Sequence, residues 1–333
     1  MVTALSLYSG GLDSILSCRV VAAQGIRVKA IRFVTPFFGY ELLAREQEYA
    51  AEVMAKYGIE VVLRDVSEPY LEMLKKPAHG YGKNFNPCVD CKIMLMTEAR
   101  KMLAEQDASF LISGEVMGQR PMSQRKDTLR LIERKSGNED ILLRPLCAKS
   151  QPPTKPEREG LIDREQLLDF RGRTRQPQMQ LAASFGITDY PSPAGGCALT
   201  DPILAKRIEA AYAERDKVSV SDVRLLLIGR QFKLPHGGWL CMGRQAEENE
   251  KVAALQEPED FLLNMEERPG PTALLRYPGG EEDFIAAAGL VVRFGKKVPA
   301  EPETVVEFVK DGRLARSMIS GPLADDLFKD WYR

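Results

Sequence analysis

The stretch Ser9-Gly10-Gly11-Leu12-Asp13-Ser14 sets two adjacent glycines, two hydroxyls and a carboxylate side by side. Paired glycines let backbone N–H groups close on an anion with no Cβ in the way. A helix beginning there turns its positive end to the same point. Ser9 and Ser14 add hydroxyl donors, and Asp13 makes sense beside phosphates if a cation bridges them. The lysine of the GxxxxGK[ST] loop, which serves γ-phosphoryl transfer, is missing. An ordinary strand-to-helix turn would look much the same. A second constellation is Asn86-Pro87-Cys88-Val89-Asp90-Cys91-Lys92. Two cysteines three apart share one side of a first helical turn, whose N-terminus favours thiolate. Redox dithiol chemistry, metal ligation and sulfur carriage all suit such a pair. A third thiol, Cys197, follows two glycines in "PSPAGGCALTDP". Cys18, Cys147 and Cys241 read as packed thiols. With only two histidines, His79 and His236, a histidine-based hydrolase is disfavoured.

These groups need elements to hold them. Residues 4–8 read as a short buried strand. Residues 13–23 carry Ile15, Leu16, Val20 and Val21 at helical spacing, with Gly25 beyond the end. Residues 28–34, 59–64, 110–113 and 141–146 read as further strands, and 43–57 and 92–105 as helices. Strands alternating with helices imply parallel pairing with right-handed crossovers. Residues 1–150 are therefore expected to form an α/β domain with a doubly wound parallel sheet. "KSQPPTKPEREG" is a surface excursion. With expected helices at 163–170 and 176–185, it makes 151–217 a linker and helical extension carrying Cys197. From residue 218 the texture changes. "VRLLLIGRQFKL", "GWLCMGR", "TALLRY", "GLVVRF" and "TVVEFV" are short strand candidates, so 218–333 is expected to be a smaller strand-rich domain. There, Arg230, Lys233 and Arg244 stand among Phe232 and Trp239, a mixture that suits RNA phosphates and base stacking. A small β domain with aromatic core and solvated charges is the alternative.

A chain of 333 residues accommodates about two domains. The formal net charge of −1 excludes a strongly basic protein, but 46 Lys and Arg residues can still form a local basic face. No apolar run reaches the ~18–20 residues of a membrane span. With no export signal, six cysteines read as metal-binding or catalytic, and a cytoplasmic protein is expected. The oligomeric state is left open, a homodimer included.

"SGGLDS" directly after the first strand resembles the signature of the PP-loop ATP pyrophosphatases, of the adenine nucleotide alpha hydrolase-like fold. The resemblance implies that ATP is the substrate. Ser9, Gly10, Gly11, Asp13 and Ser14 would then line a pyrophosphate pocket, Asp13 would position Mg2+, and Arg32 and Phe33 would approach the adenine. "SGEVMGQRPMSQ" resembles the GE..GQ..SQ stretch of the tRNA 4-thiouridine synthetases through Gly114, Glu115, Gly118, Gln119, Ser123 and Gln124, and "LRPL" resembles the strand end that follows. The set Cys88, Cys91 and Cys197 resembles the three-cysteine PP-loop tRNA thiolases, which implies a [4Fe–4S] cluster on three thiolates. Zinc with His79 or Cys241 as a fourth ligand, or a persulfide on one cysteine resolved by another, remain open beside it. The pieces "GR..F" and "GR..EEN" resemble the NFACT-R type of RNA-binding domain.

Together these resemblances imply a sulfurtransferase that thiolates a tRNA uridine, with Asp13, Cys88, Cys91 and Cys197 carrying the chemistry. Sulfur would come from a donor protein or sulfide. The same chemistry on a small molecule, or a non-catalytic nucleotide- or metal-responsive binding protein, are the competing functions. The 4-thiouridine synthetases usually carry a THUMP-containing module ahead of the loop and here the loop starts at Ser9. No rhodanese-like cysteine loop is evident near the C-terminus. Arg171, Arg173 and Arg175, with the C-terminal domain, are then the expected tRNA contacts.

Overall fold

The computed structural model describes residues 2–192 and 196–333, so residues 193–195 of the glycine–cysteine stretch lie outside the described residues. The chain divides into two compact units, Met1–Asp201 and Pro202–Arg333. Sequence texture places boundaries at 150 and 217 instead. Three-dimensional packing keeps Cys197 with the first unit and gives two helices of the extension to the second.

The first unit is built on β1 (Thr3–Leu7), α1 (Leu12–Ala22), β2 (Arg27–Val34), α2 (Glu46–Tyr57), β3 (Glu60–Asp65), α3 (Ser67–Lys75), α4 (Cys88–Glu105), β4 (Phe110–Ser113), α5 (Lys126–Ser136), β5 (Leu142–Leu143), α6 (Lys155–Arg158) and α7 (Gln176–Ser184). Its sheet has the order β3-β2-β1-β4-β5, all parallel. Both faces are covered, and strand alternation shows it. Ala4, Ala30, Phe110 and Ile112 join the core that includes α1 and α2, whereas Leu5, Ile31 and Leu111 join the core beneath α4. Strand order reverses between β1 and β4, and in open α/β sheets ligands settle outside the carboxyl ends of the strands at such a point. The glycine turn after β1 and the loop after β4 therefore meet where a nucleotide site belongs.

The expected helix at 163–170 is replaced by a single turn of 3-10 helix, Arg164–Gln166. Residues beyond it run extended because their backbone finds partners elsewhere: Leu168 N donates to Pro145 O (3.0 Å) and Phe170 N to Leu146 O (2.8 Å). The expected strand at 141–146 shortens to two residues, since Pro145 has no N–H to offer a ladder. The proline-rich excursion contains α6, started by a reciprocal Thr154–Glu157 capping box.

The second unit comprises α8 (Pro202–Glu214), α9 (Val220–Leu226), β6 (Arg230–Lys233), β7 (Trp239–Met242), α10 (Ala246–Ala253), β8 (Phe261–Met265), β9 (Ala273–Arg276), α11 (Glu281–Phe294), β10 (Thr304–Lys310), β11 (Arg313–Ser320) and α12 (Asp325–Phe328). Its antiparallel sheet has the order β11-β10-β8-β9-β7-β6. Two strand candidates are helices. "GLVVRF" completes α11, where Glu281, Glu282 and Asp283 favour a helix N-terminus and burial from Ala286 to Val292 outweighs the β-preference of two valines. "VRLLL" belongs to α9, begun by Ser219, whose Oγ accepts from Asp222 N (3.0 Å). β8 and β11 have no counterpart among the expected strands.

Candidate nucleotide and thiol site

Gly10 has φ +79°, a conformation that favours glycine, and a Cβ there would collide with Arg32 Nη1. Arg32 thus lies over the turn, held by Tyr49, whose Oη accepts from Nη1 at 2.5 Å. Ser14 Oγ donates to Gly11 O (2.7 Å) and lies 3.3 Å from Ser9 Oγ. Phe33, expected beside an adenine, is instead a buried core side chain among Leu5, Met96 and Leu111, because strand alternation sends it to the face opposite Arg32.

Asp13 is the centre of the turn. Its Oδ2 accepts from Gln119 Nε2 at 2.7 Å and from Arg175 Nη2 at 3.1 Å. Its Oδ1 is buried and has no partner among the described residues. An unpaired buried carboxylate oxygen is costly, and a hard cation is what would satisfy it, so the donor chemistry fits Mg2+. The loop after β4 presses on this turn. A Cβ on Gly114 would stand 2.5 Å from Asp13 O and 2.6 Å from Ser14 N. Gln119 is fixed in turn by Gln178 Nε2, which donates to its Oε1 at 3.0 Å. Arg175, expected on a tRNA-binding surface, is paired inside this site. Arg171 donates to Ser150 Oγ (2.6 Å) and Arg173 is exposed.

The cysteines meet on the same unit. Cys88 opens α4 and Cys91 follows three residues on. Two tethers set the preceding loop. His79 N donates to Asp90 Oδ2 (2.9 Å), and its Nδ1 lies 2.9 Å from Oδ1. Asn84 Nδ2 donates to Thr200 O (2.6 Å), and Phe85 N to Leu199 O (3.2 Å). Thr200 Oγ1 donates to Cys197 O (2.6 Å), so Cys197 is drawn toward the pair. Tyr70, on α3, is hydrogen-bonded to Cys91 and lies in the field of all three thiols. Burial first, and those thiols second, raise its hydroxyl well above the usual range.

Burial also pushes the Cys91 thiol up to about 12, against the lowering effects of Lys92 and the Tyr70 hydrogen bond. Cys197 is raised by burial as well. The expected thiolate at a helix N-terminus is therefore overruled for Cys91 by desolvation. The metal expectation for Cys88, Cys91 and Cys197 finds suitable donors but not the arrangement. No group of three His, Cys, Asp or Glu side chains among the described residues could hold a metal ion. Zinc loses both suggested fourth ligands, because His79 is engaged by Asp90 and Cys241 is buried in the second unit. Cys18 and Cys147 are buried, as expected of packed thiols.

A buried ionic chain joins the two halves of the site, and its cations are absent from the sequence-based set. Lys92, next to Cys91, lies 3.4 Å from Glu115 Oε1, and Arg144 Nε donates to Glu115 Oε2 at 3.1 Å. Burial would raise the Glu115 carboxyl, but Lys92 and Arg144 outweigh it and hold it below the usual range. Glu115 directly follows Gly114, so the chain runs from the thiols to the phosphate turn. Lys92 and Arg144 lay inside quoted motifs, "NPCVDCK" and "LRPL". Tyr70 carried no motif at all.

In the second unit, Phe232 and Trp239 are wholly buried, and Trp239 Nε1 donates to Gln231 Oε1 at 2.6 Å. They are core, and the expected basic–aromatic RNA platform is not there. Lys233 pairs with Glu214 and Arg244 with Glu248.

A parallel sheet with a lysine-free glycine turn at its switch point is the architecture of the PP-loop class. Residues 2–152 match the family model described as thiamine biosynthesis protein (ThiI), and residues 229–332 match that of the NFACT protein RNA binding domain. The chain thus carries a PP-loop domain of the ThiI family followed by an NFACT-R domain. Solved structures similar to it include a predicted subunit of tRNA methyltransferase from Methanocaldococcus jannaschii (15% identity, TM-score 0.38, covering 67% of this chain and 91% of that one). The U34-tRNA thiolase NcsA from Methanococcus maripaludis with its [4Fe-4S] cluster follows (14%, 0.33, 64% and 66%). So does NMN synthetase from Francisella tularensis (12%, 0.35, 67% and 82%). These are weak likenesses in the course of the chain, and the site stands on its own geometry.

Proposed function

We propose that the protein is an ATP-dependent sulfurtransferase that thiolates a uridine of tRNA. The observation that carries this is the convergence of Cys88, Cys91 and Cys197 on Tyr70, linked through Lys92 and Glu115 to a lysine-free phosphate turn. A uracil carbonyl oxygen attacks the α-phosphorus of ATP, and the α–β phosphoanhydride bond breaks. Pyrophosphate leaves into the turn at Gly10 and Gly11, where Arg32 and Arg175 stand ready to offset its charge. Mg2+, held at Asp13 Oδ1, would bridge the phosphates. Sulfur then attacks the activated carbon, the C–O bond breaks, and the oxygen departs with AMP. With sulfide as donor, no electrons change hands. Cys88, Cys91 and Cys197 handle the sulfur, and no step runs through an iron–sulfur cluster. Tyr70 and the His79–Asp90 pair position the thiols. The RNA-binding family of the second domain supports RNA as the acceptor.

The test is nucleoside analysis of tRNA from a strain lacking the gene, complemented by wild type or by Asp13→Asn. One thiolated nucleoside should vanish, return with wild type, and stay absent with the variant. An unchanged set of thiolated nucleosides would sink the tRNA assignment. A second reading, sulfur transfer to a small molecule, is favoured by the thiamine-biosynthesis description of the first domain's family. A thiamine requirement in the deletion strain with intact tRNA thiolation would select it.

A further inference from the structure

The second unit holds a cavity of about 500 Å3 between the end of α11, the loop that follows it and the segment before α12. That volume lies within the roughly 300–1,000 Å3 of small-ligand pockets. Four cations line it: Arg268, Arg293, Lys296 and Lys297. The one carboxylate in the lining, Asp325, is already bound to Arg293, with Nε–Oδ1 at 2.8 Å and Nη2–Oδ2 at 2.9 Å. Arg268 lies 3.6 Å from Glu301. Lys296 and Lys297 are exposed, and among the described residues neither makes a side-chain hydrogen bond or ion pair. The rest of the lining is apolar, chiefly Val298, Pro299, Pro302, Pro322 and Leu323.

That wall is preformed. Three prolines fix their own φ, so little backbone entropy is lost when a ligand lies on them. The entry of the loop is pinned where Gly270 and Gly295 meet Met265, since a Cβ on either glycine would collide with Met265 Cε. A flat apolar face beside two unpaired lysines matches one unpaired nucleotide, with the base on the prolines and the phosphodiester on the lysines. A duplex could not enter a pocket of this size, and single-stranded segments are where proteins reach RNA bases. The stretch 226–255, where basic and aromatic residues alternate in sequence, has its aromatics in the core and cannot do this.

We propose that this proline-walled cavity, with Lys296 and Lys297 at its rim, binds a single-stranded nucleotide of the RNA substrate. The inference rests on RNA being the substrate, and its experiment separates the two. Binding of tRNA and of a short oligouridylate to the full chain is measured across salt concentrations. The proteins are wild type, Lys296→Glu/Lys297→Glu, and Lys251→Glu/Lys310→Glu, an equal charge reversal outside the cavity. Melting curves confirm that each variant folds. The cavity variant should bind about tenfold more weakly, and its log–log salt slope should be shallower by about 1.4, near 0.7 for each lost phosphate contact. The control pair should change binding less than twofold. Equal weakening in both variants, or none in the cavity variant, overturns the cavity assignment alone. Displacement of tRNA by polyglutamate as effectively as by oligouridylate would make the occupant an acidic peptide and overturn it too. No saturable tRNA binding by wild type removes the RNA assignment, and this one with it.

Discussion

Cys91 shows how burial can reverse a rule read from sequence. A thiol in the first turn of a helix is expected to ionise easily, yet desolvation pushes it up to about 12. A free thiol titrates near pH 8.5, so at pH 8 the folded chain should hold ~1,000-fold less Cys91 thiolate than the unfolded one. Mass-spectrometric footprinting with iodoacetamide should therefore show slow labelling of Cys91 at pH 8 in the metal-free folded protein, accelerating as pH climbs toward 12. Labelling as fast as in urea would contradict the burial. The sign for stability follows. The neutral buried thiol stabilises the fold fully below pH ~8.5, and that contribution is lost as pH rises toward the folded value. Asp13 is the opposite kind of residue, since its identity was legible from the glycines around it. Its unpaired Oδ1 and its Arg175 partner, 162 positions away in the chain, were not.

Among the elements, the loop after β4 is the most tightly constrained. Gly114 lies against the backbone of Asp13 and Ser14, and backbone cannot step aside as a flexible side chain can. Gly114→Ala should cost about 1–3 kcal/mol by overpacking and displace the phosphate turn. A lowered melting temperature together with weakened ATP affinity would bear this out, and unchanged values of both would refute the contact. The parallel sheet was legible because each strand is bounded by turn residues and followed by a helix of period 3.6. The α11 segment was misread for a physical reason. "GLVVRF" has local β-propensity, but it is the last stretch of a helix whose start lies in "EED", and burial across the whole element decided its state. Phe232 and Trp239 were misjudged similarly, because an aromatic among basic residues looks the same whether it faces solvent or core.

For the whole molecule, the division between Asp201 and Pro202 has a consequence for stability. The second unit closes its own core around Phe232, Leu263, Leu275 and Phe308. It also contains a complete buried ionic cluster, in which Arg276 binds Asp260 at 2.7 Å and Asp222 at 2.9 Å. A fragment spanning 202–333 should therefore fold and melt cooperatively by itself. Arg276→Leu, which strands two buried carboxylates, should cost that fragment about 3–5 kcal/mol. A fragment with no cooperative transition would show that the unit depends on the rest of the chain.

Sequence alone determined the doubly wound sheet, the glycine turn and the three candidate thiols, because strand–helix alternation, adjacent glycines and cysteine spacing are local properties of a chain. Only the tertiary structure decided what each group meets. It buried Cys91, paired Arg175 with Asp13, threaded Lys92, Glu115 and Arg144 between thiols and turn, and sent Phe232 and Trp239 inward while leaving Lys296 and Lys297 free. Protonation and ion pairing depend on desolvation and on neighbours remote in sequence, and those exist only once the chain has folded.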